Sequence, residues 1–192
     1  MSPKTPTLTT VLETTQRRLT ENLGEKCTVK VHGTLNETLL KTVINIDNQK
    51  FREELRYEHE DVLEHGRLKG FILILAECND QPIGMTYGYD EPQSRGYFLD
   101  TLASMTEGKG IGRILATLLL VHCQNKGYKH VTLYTEERDE KGRQLRRFYE
   151  KMGFTYICTE EGKGDIMQIQ LTDEKVADLY AKYIANTDNI NK

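Results

Sequence analysis

The chain has 192 residues, a formal net charge of −3 and 38% hydrophobic residues. This length suits one compact domain with a sizeable core, and the balance of hydrophobic and charged residues excludes a disordered chain. The slightly acidic charge gives no overall electrostatic support to nucleic-acid binding, so no nucleic-acid partner is expected.

The chain shows no pattern of a membrane, secreted or metal-binding protein. No apolar run approaches the ~20 residues that cross a bilayer, and the polar first ten residues lack the apolar stretch of a signal peptide. We therefore expect a cytoplasmic protein with no membrane partner. The cysteines form no CxxC pair, so no metal site is expected, and we interpret them as small buried hydrophobic residues in a reducing compartment; they are Cys27, Cys78, Cys123 and Cys158.

Hydrophobic spacing predicts the elements of the first third of the chain. A helix is predicted over residues 8–23, with Gly24 as its stop, and a strand over residues 27–32. Apolar residues at positions 35, 39, 43 and 46 then recur at helical spacing. A further helix is predicted over residues 51–65 and ends at Gly66.

From Gly70 onward, strands alternate with helices. The predicted strands cover residues 71–76, 83–89, 97–103, 130–135, 154–159 and 166–171, and the first two form a hairpin through turn residues 79–82. Helices are predicted over residues 111–125, 143–151 and 173–184, the last capped by Thr172. His122 lies in the first of these three helices, which is apolar, and is interpreted as a core residue. This order predicts a mixed α/β sheet with helices on its faces.

A glycine-rich turn is the first functional signal. The segment Glu107-Gly108-Lys109-Gly110-Ile111-Gly112-Arg113 follows a predicted strand and opens a predicted helix. Glycines let the backbone approach a ligand closely, and the free amides of a first helical turn favour an anion such as a diphosphate. The segment lacks the Lys-Ser/Thr of a P-loop and the third glycine of a dinucleotide fingerprint. A tight turn that binds nothing is also compatible with it.

The second signal is Leu145-Arg146-Arg147-Phe148-Tyr149-Glu150-Lys151-Met152-Gly153-Phe154, on a predicted helix one strand after the glycine turn. With both segments, the chain resembles the GNAT superfamily of acyl-CoA-dependent N-acyltransferases. Its signature is (Gln/Arg)-x-x-Gly-x-(Gly/Ala) followed by (Phe/Leu)-Tyr-x-x-x-Gly-Phe. Two positions depart from the family pattern: Glu107 stands at the usual Gln or Arg, and Gly142 at a common Asn. An acid near a diphosphate is unfavourable unless it points away.

The resemblance implies an α/β (α+β) architecture, the GNAT fold. This fold is a central mixed, mostly antiparallel twisted sheet of about seven strands with helices on both faces. We divide the chain into an N-terminal helical extension over residues 1–24 and a single N-acetyltransferase domain over residues 25–192. Dimerisation is common in the superfamily, so a homodimer is compatible with the resemblance.

The resemblance also implies where acetyl-CoA binds as co-substrate. It would wedge between the strands over residues 97–103 and 130–135, with its pantetheine arm paired to the backbone of Leu102 and Ala103. The diphosphate would lie on the glycine turn, where Lys109 and Arg113 add charge. The expected cofactor-binding residues of this turn are Gly108, Lys109, Gly110, Ile111, Gly112 and Arg113.

Two residues are candidates for the proton transfers. A lysine-like amine is neutral in only about one molecule in 2,500 at pH 7, which costs about 4.6 kcal/mol, so a base is useful. Asp100 is the first candidate because it lies on the strand beside the thioester, although a structural carboxylate is an open alternative; Glu136 and Glu137 could act through water. Tyr149 is the candidate acid for the CoA thiolate, although its helical stripe is also typical of core.

The acceptor is less defined by the sequence. Acidic residues 136–140 could attract a cationic amine, and Tyr87 could wall a pocket, so Glu137 and Tyr87 are the candidate substrate contacts. A solvated charged face and an ordinary strand tyrosine are the alternatives. The predicted function is transfer of an acetyl group from acetyl-CoA to a primary amine of a small molecule or peptide, by direct attack in a ternary complex. A non-catalytic acyl-CoA sensor or interaction module with the same fold is the alternative.

Overall fold

The computed structural model describes residues 6–92 and 94–185. Within these ranges one sheet contains seven strands: β1 (Cys27–His32), β2 (Ile72–Cys78), β3 (Gln81–Asp90), β4 (Gly96–Ser104), β5 (His130–Thr135), β6 (Thr155–Glu160) and β7 (Gly164–Gln170). Their order is β1-β2-β3-β4-β5-β7-β6. Every neighbouring pair is antiparallel except β4 with β5, which is parallel. The predicted mixed, mostly antiparallel sheet is confirmed.

Helices cover both faces of this sheet, as predicted. The described residues form α1 (Leu8–Leu23), α2 (Glu37–Lys50), α3 (His59–His65), α4 (Ile111–Lys126), α5 (Leu145–Glu150) and α6 (Asp173–Tyr180). Along β2, Ile72 and Ile74 belong to the same hydrophobic cluster as α1, α4 and α6, whereas Leu73 and Leu75 pack with α2 and α3. Alternate side chains of a strand point to opposite faces, so β2 is buried on both.

The N-terminal helix is an integral part of the core. Val11 and Leu19 of α1 are 0% and 1% exposed and share a cluster with α4. Two of its polar side chains also hold β1, since Gln16 accepts from Val29 N at 3.0 Å and Thr20 accepts from Cys27 N at 3.1 Å. No helix in the two described ranges is long and apolar enough to span a bilayer.

The helix predicted over residues 51–65 is wrong in its first half. Arg52 and Arg56 are extended, a single 3₁₀ turn covers Glu53–Leu55, and α3 begins at His59. Tertiary contacts replace the helical hydrogen bonds here, because the Tyr57 amide donates to the Asp47 carboxylate and the Arg56 Nε donates to the Phe51 carbonyl. These contacts satisfy the Tyr57 amide and the Phe51 carbonyl without a helix.

One other predicted helix is shorter than predicted, and one changes its helical type near its end. The helix over residues 143–151 is reduced to α5, because the Arg143 amide and guanidinium bond to the Asp139 carboxylate and hold that residue in the preceding loop. The helix over residues 173–184 is α-helical to Tyr180 and continues as a π-helical turn over Ala181–Ala185. Its predicted cap is confirmed, since Thr172 accepts from Lys175 N at 3.2 Å.

The interpretation of the cysteines as buried thiols holds for one of them. Cys123 is buried as a free thiol. Cys27 and Cys78 are buried but are joined by a disulfide, which the facing register of β1 and β2 permits because it places their Cα atoms 4.1 Å apart. Cys158 is exposed on β6, the last strand of the sheet. A strand at an edge buries less of its surface than a central one, which is why the apolar context of Cys158 was misleading.

His122 is a core residue, as predicted, and this gives a prediction about stability. It is 6% exposed, and burial lowers its pKa to about 4. The unfolded chain, with an ordinary pKa of ~6.5, binds a proton that the folded chain does not bind, so stability is lost as pH falls below that value. We expect the free energy of unfolding of wild type to drop by about 2 kcal/mol more than that of His122→Leu between pH 8 and pH 5. Urea unfolding at both pH values measures this difference. An equal drop in the free energy of unfolding for wild type and His122→Leu would show that His122 does not cause the pH dependence.

Candidate active site

The two parallel strands separate and open a cleft. β4 and β5 pair only from Gly96 to Phe98, opposite His130 to Thr132. Beyond this point β4 remains paired with β3 and β5 with β7. From Leu99 to Ser104, the edge of β4 that faces β5 therefore has no strand partner among the described residues. A cleft of about 760 Å³ opens there, and an extended ligand could pair with the uncovered backbone.

The glycine turn forms the wall at one end of this cleft. Gly108 and Gly110 have left-handed backbones, with φ of 75° and 72°, which glycine adopts without strain. Gly110 caps α4, whose first helical hydrogen bond runs from Ile114 N to Gly110 O at 3.1 Å. The preceding amides, those of Ile111, Gly112 and Arg113, have no acceptor within the helix. They are available to an anion at the positive end of the helix dipole.

The structure brings most of the predicted cofactor residues together. Leu102, Ala103, Gly108, Gly110, Ile111, Gly112 and Arg113 all line the cleft. Lys109 is exposed and is not part of the lining.

Glu107 is neutralised by cations from the opposite rim of the cleft. Its carboxylate accepts from the Arg143 guanidinium at 2.6 Å and lies 3.5 Å from the Lys141 ammonium. The nearby Arg143 charge, with that of Lys141, lowers the pKa of Glu107. Glu107 follows β4, and its partners lie between β5 and α5. The ion pairs thus join the two rims and compensate the acid at the position where the family signature has Gln or Arg.

Tyr149 lies on the cleft wall contributed by α5. Its ring packs edge-on against Phe148 and Phe154, with centroid distances of 5.0 and 5.6 Å. In the stripe formed by Leu145, Phe148, Tyr149 and Met152, Met152 is buried in the core, as is Phe154 beyond the helix, whereas Phe148 and Tyr149 line the cleft. Burial raises the pKa of the Tyr149 phenol, so this side chain stays protonated at neutral pH.

Asp100 lies on a β-bulge where the strands begin to separate. Tyr87 pairs with Thr101 and Gly88 with Leu99, so Asp100 has no opposite residue on β3. Its Oδ2 accepts from the Tyr89 phenol at 2.7 Å and its Oδ1 from the Thr101 hydroxyl at 3.0 Å. The carboxylate is 2% exposed, and Asp100 borders the cleft. It is thus a buried acceptor of several hydroxyls, placed directly behind the cleft surface.

The two predicted substrate contacts lie outside the cleft lining. Tyr87 is 1% exposed and packs against Phe71 and His65, behind Asp100. Glu137 is exposed, and its carbonyl accepts from Leu145 N at 3.0 Å. Its neighbour Glu136 does line the cleft, where it forms an ion pair with Arg52.

Two residues of the cleft were not among the candidates predicted from the sequence. They lie at the end of the cleft near Asp100, which we call the acceptor end. Asp47 and Tyr57 both line the cleft, and the Tyr57 amide donates to the Asp47 carboxylate at 3.1 Å. Asp47 lies one helical turn after buried Val43 on α2 and is itself 2% exposed. A carboxylate on the apolar stripe of a helix was the available signal, because such a group is rarely buried without a purpose.

Comparison with protein families agrees with this geometry. A family model described as the acetyltransferase (GNAT) family matches residues 40–154, which contain β4, the glycine turn and α5. The chain is also 33% identical, over 89 residues, to the mycothiol acetyltransferase of Thermomonospora curvata. That match covers 46% of this chain and 29% of the relative, so the chain matches less than a third of the relative's length.

Solved structures share the architecture at low sequence identity. The ribosomal-protein-S18-alanine N-acetyltransferase from Escherichia coli superposes with a TM-score of 0.60 at 13% identity, covering 76% of this chain and 95% of that one. The PaiA N-acetyltransferase from Thermoplasma acidophilum, solved in complex with coenzyme A, gives a TM-score of 0.60 at 20% identity, covering 75% and 99%. These likenesses confirm the predicted fold.

Proposed function

Since the chain belongs to the acetyltransferase (GNAT) family, we propose that it transfers an acetyl group from acetyl-CoA to a primary amine of a small molecule or peptide. The amine attacks the thioester directly within a ternary complex. One observation carries the proposal: the unpaired edge of β4, the glycine turn and Tyr149 all border the same cleft. This supports the proposal, because one ligand in the cleft could contact the open backbone edge, the amides of the turn and the phenol.

In this proposal, acetyl-CoA lies along the open edge of β4. The pantetheine amides pair with the backbone at Leu102 and Ala103, as an added strand would. The diphosphate binds the amides of Ile111, Gly112 and Arg113 at the start of α4. The Arg113 guanidinium also borders the cleft and adds a charge-assisted contact. The thioester then lies near the point where β4 and β5 separate.

Tyr149 stabilises the leaving group. When the tetrahedral intermediate collapses, the carbon–sulfur bond breaks and negative charge develops on the CoA sulfur. A phenol with a pKa of at least ~10 is a weaker acid than a thiol of ~8.5, so complete proton transfer is uphill. The hydrogen bond from the phenol to the developing thiolate therefore supplies most of the stabilisation. The raised pKa keeps the donor protonated throughout.

Asp100 is the proposed acceptor of the proton that the amine loses. It lies at the bulge beside the proposed thioester position and borders the cleft at the acceptor end. Its carboxylate is shielded from solvent, so the proton would reach it through a hydroxyl or a bound water at the cleft surface. Tyr57 lines the cleft, and the Asp100 charge contributes to the raised pKa of its phenol, so this hydroxyl is the proposed relay.

The test is CoA release from acetyl-CoA in the presence of a panel of primary amines, with Asp100→Asn beside wild type. We expect release with at least one amine, and a loss in kcat/KM of about 100-fold at pH 7 for the variant. The loss should shrink toward pH 10, because the amine itself, with a pKa of ~10.4, becomes neutral without a base.

Two results would contradict parts of this proposal. If the loss in Asp100→Asn is the same at every pH, Asp100 is a structural carboxylate and not the base. If acetyl-CoA binds but no amine in the panel increases CoA release, the protein is an acyl-CoA sensor and the enzymatic proposal fails.

A further inference from the structure

Two buried carboxylates lie behind the acceptor end of the cleft. Asp47 and the side chain of Asp100 are each 2% exposed, and both residues border the cleft. Tyr57 connects them, because its amide donates to Asp47 at 3.1 Å and its ring packs edge-on against His65, whose Nδ1 lies 3.9 Å from Asp100 Oδ2. The rings of Phe51 and Phe98 line the same end. The wall is thus aromatic on its surface and anionic immediately behind it.

These two buried carboxylates differ from three of the other four acids that line the cleft in their counter-charges, and the fourth, Glu140, is exposed to solvent. Glu136 is paired with Arg52, and Glu107 and Asp139 are both paired with Arg143. Within residues 6–92 and 94–185, neither Asp47 nor Asp100 has a lysine or arginine nitrogen within 4 Å, and the one ionisable nitrogen at that distance from Asp100 is His65 Nδ1, at 3.9 Å. Burial raises the pKa of Asp47, and the more distant Arg56 charge opposes this shift without cancelling it. A positive group arriving in the cleft would supply the missing charge.

A buried hydroxyl points to the same place. The Tyr87 phenol oxygen is fully buried and makes no hydrogen bond with any residue that the structure describes. Its ring lies 6.2 Å from the His65 ring, which borders Asp100, and burial together with the Asp100 charge raises the pKa of the phenol. The His65 Nδ1, 3.9 Å from Asp100 Oδ2, is likewise buried without a hydrogen-bond partner among the described residues. The residues around Asp100 therefore include a hydroxyl and a ring nitrogen that form no hydrogen bond among the described residues.

We infer that the acceptor carries a second positively charged group, which binds over Tyr57, Phe51 and Phe98 in the field of Asp47 and Asp100. This rests on the proposed function and narrows its substrate class to diamines and other amines with a second cationic centre. The attacking amine must be neutral, so it does not use this field, whereas a second ammonium remains charged and does. Aromatic rings backed by carboxylates of low solvent exposure bind ammonium through both cation–π attraction and Coulomb forces.

The test is calorimetric binding of diaminoalkanes of three to five carbons, each compared with the monoamine of equal length. The full chain is first saturated with CoA, which removes turnover from the measurement. We expect the best diamine to bind wild type at least about 10-fold more tightly than its monoamine. Asp47→Asn keeps an acceptor for the Tyr57 amide and should reduce this ratio to about 2. Glu60→Gln removes the same charge from an 83% exposed position on α3 and should leave the ratio at the wild-type value.

The wild-type ratio decides the inference without any variant. Equal affinity for diamine and monoamine overturns it, even if both are acetylated. A preserved ratio in Asp47→Asn overturns the assignment to Asp47. A strong diamine preference without acetylation of any amine supports the subsite and contradicts the proposed enzymatic function, so the two failures are distinguishable.

Discussion

Replacing Gly110 with aspartate is expected to weaken acetyl-CoA binding by about 100-fold, measured by calorimetry. The carboxylate would lie at the cap of α4, near the amides that are proposed to hold the diphosphate. Two like charges about 5 Å apart repel each other by about 1 kcal/mol in water and by about 3 kcal/mol near a protein surface. Two phosphate charges therefore suffice for the expected loss, since 100-fold corresponds to about 2.7 kcal/mol.

The same substitution should leave the fold intact. A Cβ built on Gly110 meets no atom within 4 Å, and the left-handed backbone at φ 72° costs aspartate about 1 kcal/mol. Gly127 is a matched control, because it caps the other end of α4 with φ 83° and equally open surroundings. Gly127→Asp carries the same charge and conformational cost away from the cleft, so it should bind acetyl-CoA like wild type. Similar affinity in Gly110→Asp and Gly127→Asp would show that the turn is not the diphosphate site.

The local parts of the fold could be predicted because local signals determine them. The bounds of α1, β1 and β5 match their predicted ranges, since periodic apolar residues set the elements and Gly24 and Gly127 end the helices beside them. The segment from Phe51 to Glu58 could not be predicted in this way. Its conformation depends on a hydrogen bond to the Asp47 carboxylate, which belongs to the preceding helix. The segment is rich in charged residues that are common in helices, so its composition predicts a helix although tertiary hydrogen bonds hold it in another conformation.

The candidate site likewise has one part that the sequence predicts and one part that it does not. The glycine turn and Tyr149 lie in two short motifs whose spacing is visible in the sequence, and the structure brings both to one cleft. The surroundings of Asp100 come from other elements: Tyr57 from the segment before α3, His65 from α3 and Tyr89 from β3. No spacing rule relates these positions. A bulge also changes the face of the sheet on which a side chain lies. The residues at the acceptor end could therefore be identified only once the register of β3 and β4 was known.

Replacing Tyr149 with phenylalanine is expected to lower kcat about 100-fold while changing acetyl-CoA affinity by less than about threefold. The ring contacts with Phe148 and Phe154 would remain, so the change removes the hydroxyl and little packing. A group that acts only on the developing thiolate affects the transition state and not the bound substrate, which is why kcat and affinity should separate.

Tyr183→Phe is the matched control for this variant, because Tyr183 also lines the cleft and its hydroxyl donates to the Lys151 carbonyl at 3.2 Å, away from the proposed thioester. Its kcat should stay within about threefold of wild type. A thioester with a more acidic thiol as leaving group needs less stabilisation, so the loss in Tyr149→Phe should diminish with such a substrate. A loss of equal size for both thioesters would mean that Tyr149 shapes the cleft and does not contact the sulfur. Full activity in Tyr149→Phe would leave the phenol with the packing role that its position beside Met152 and Phe154 also allows.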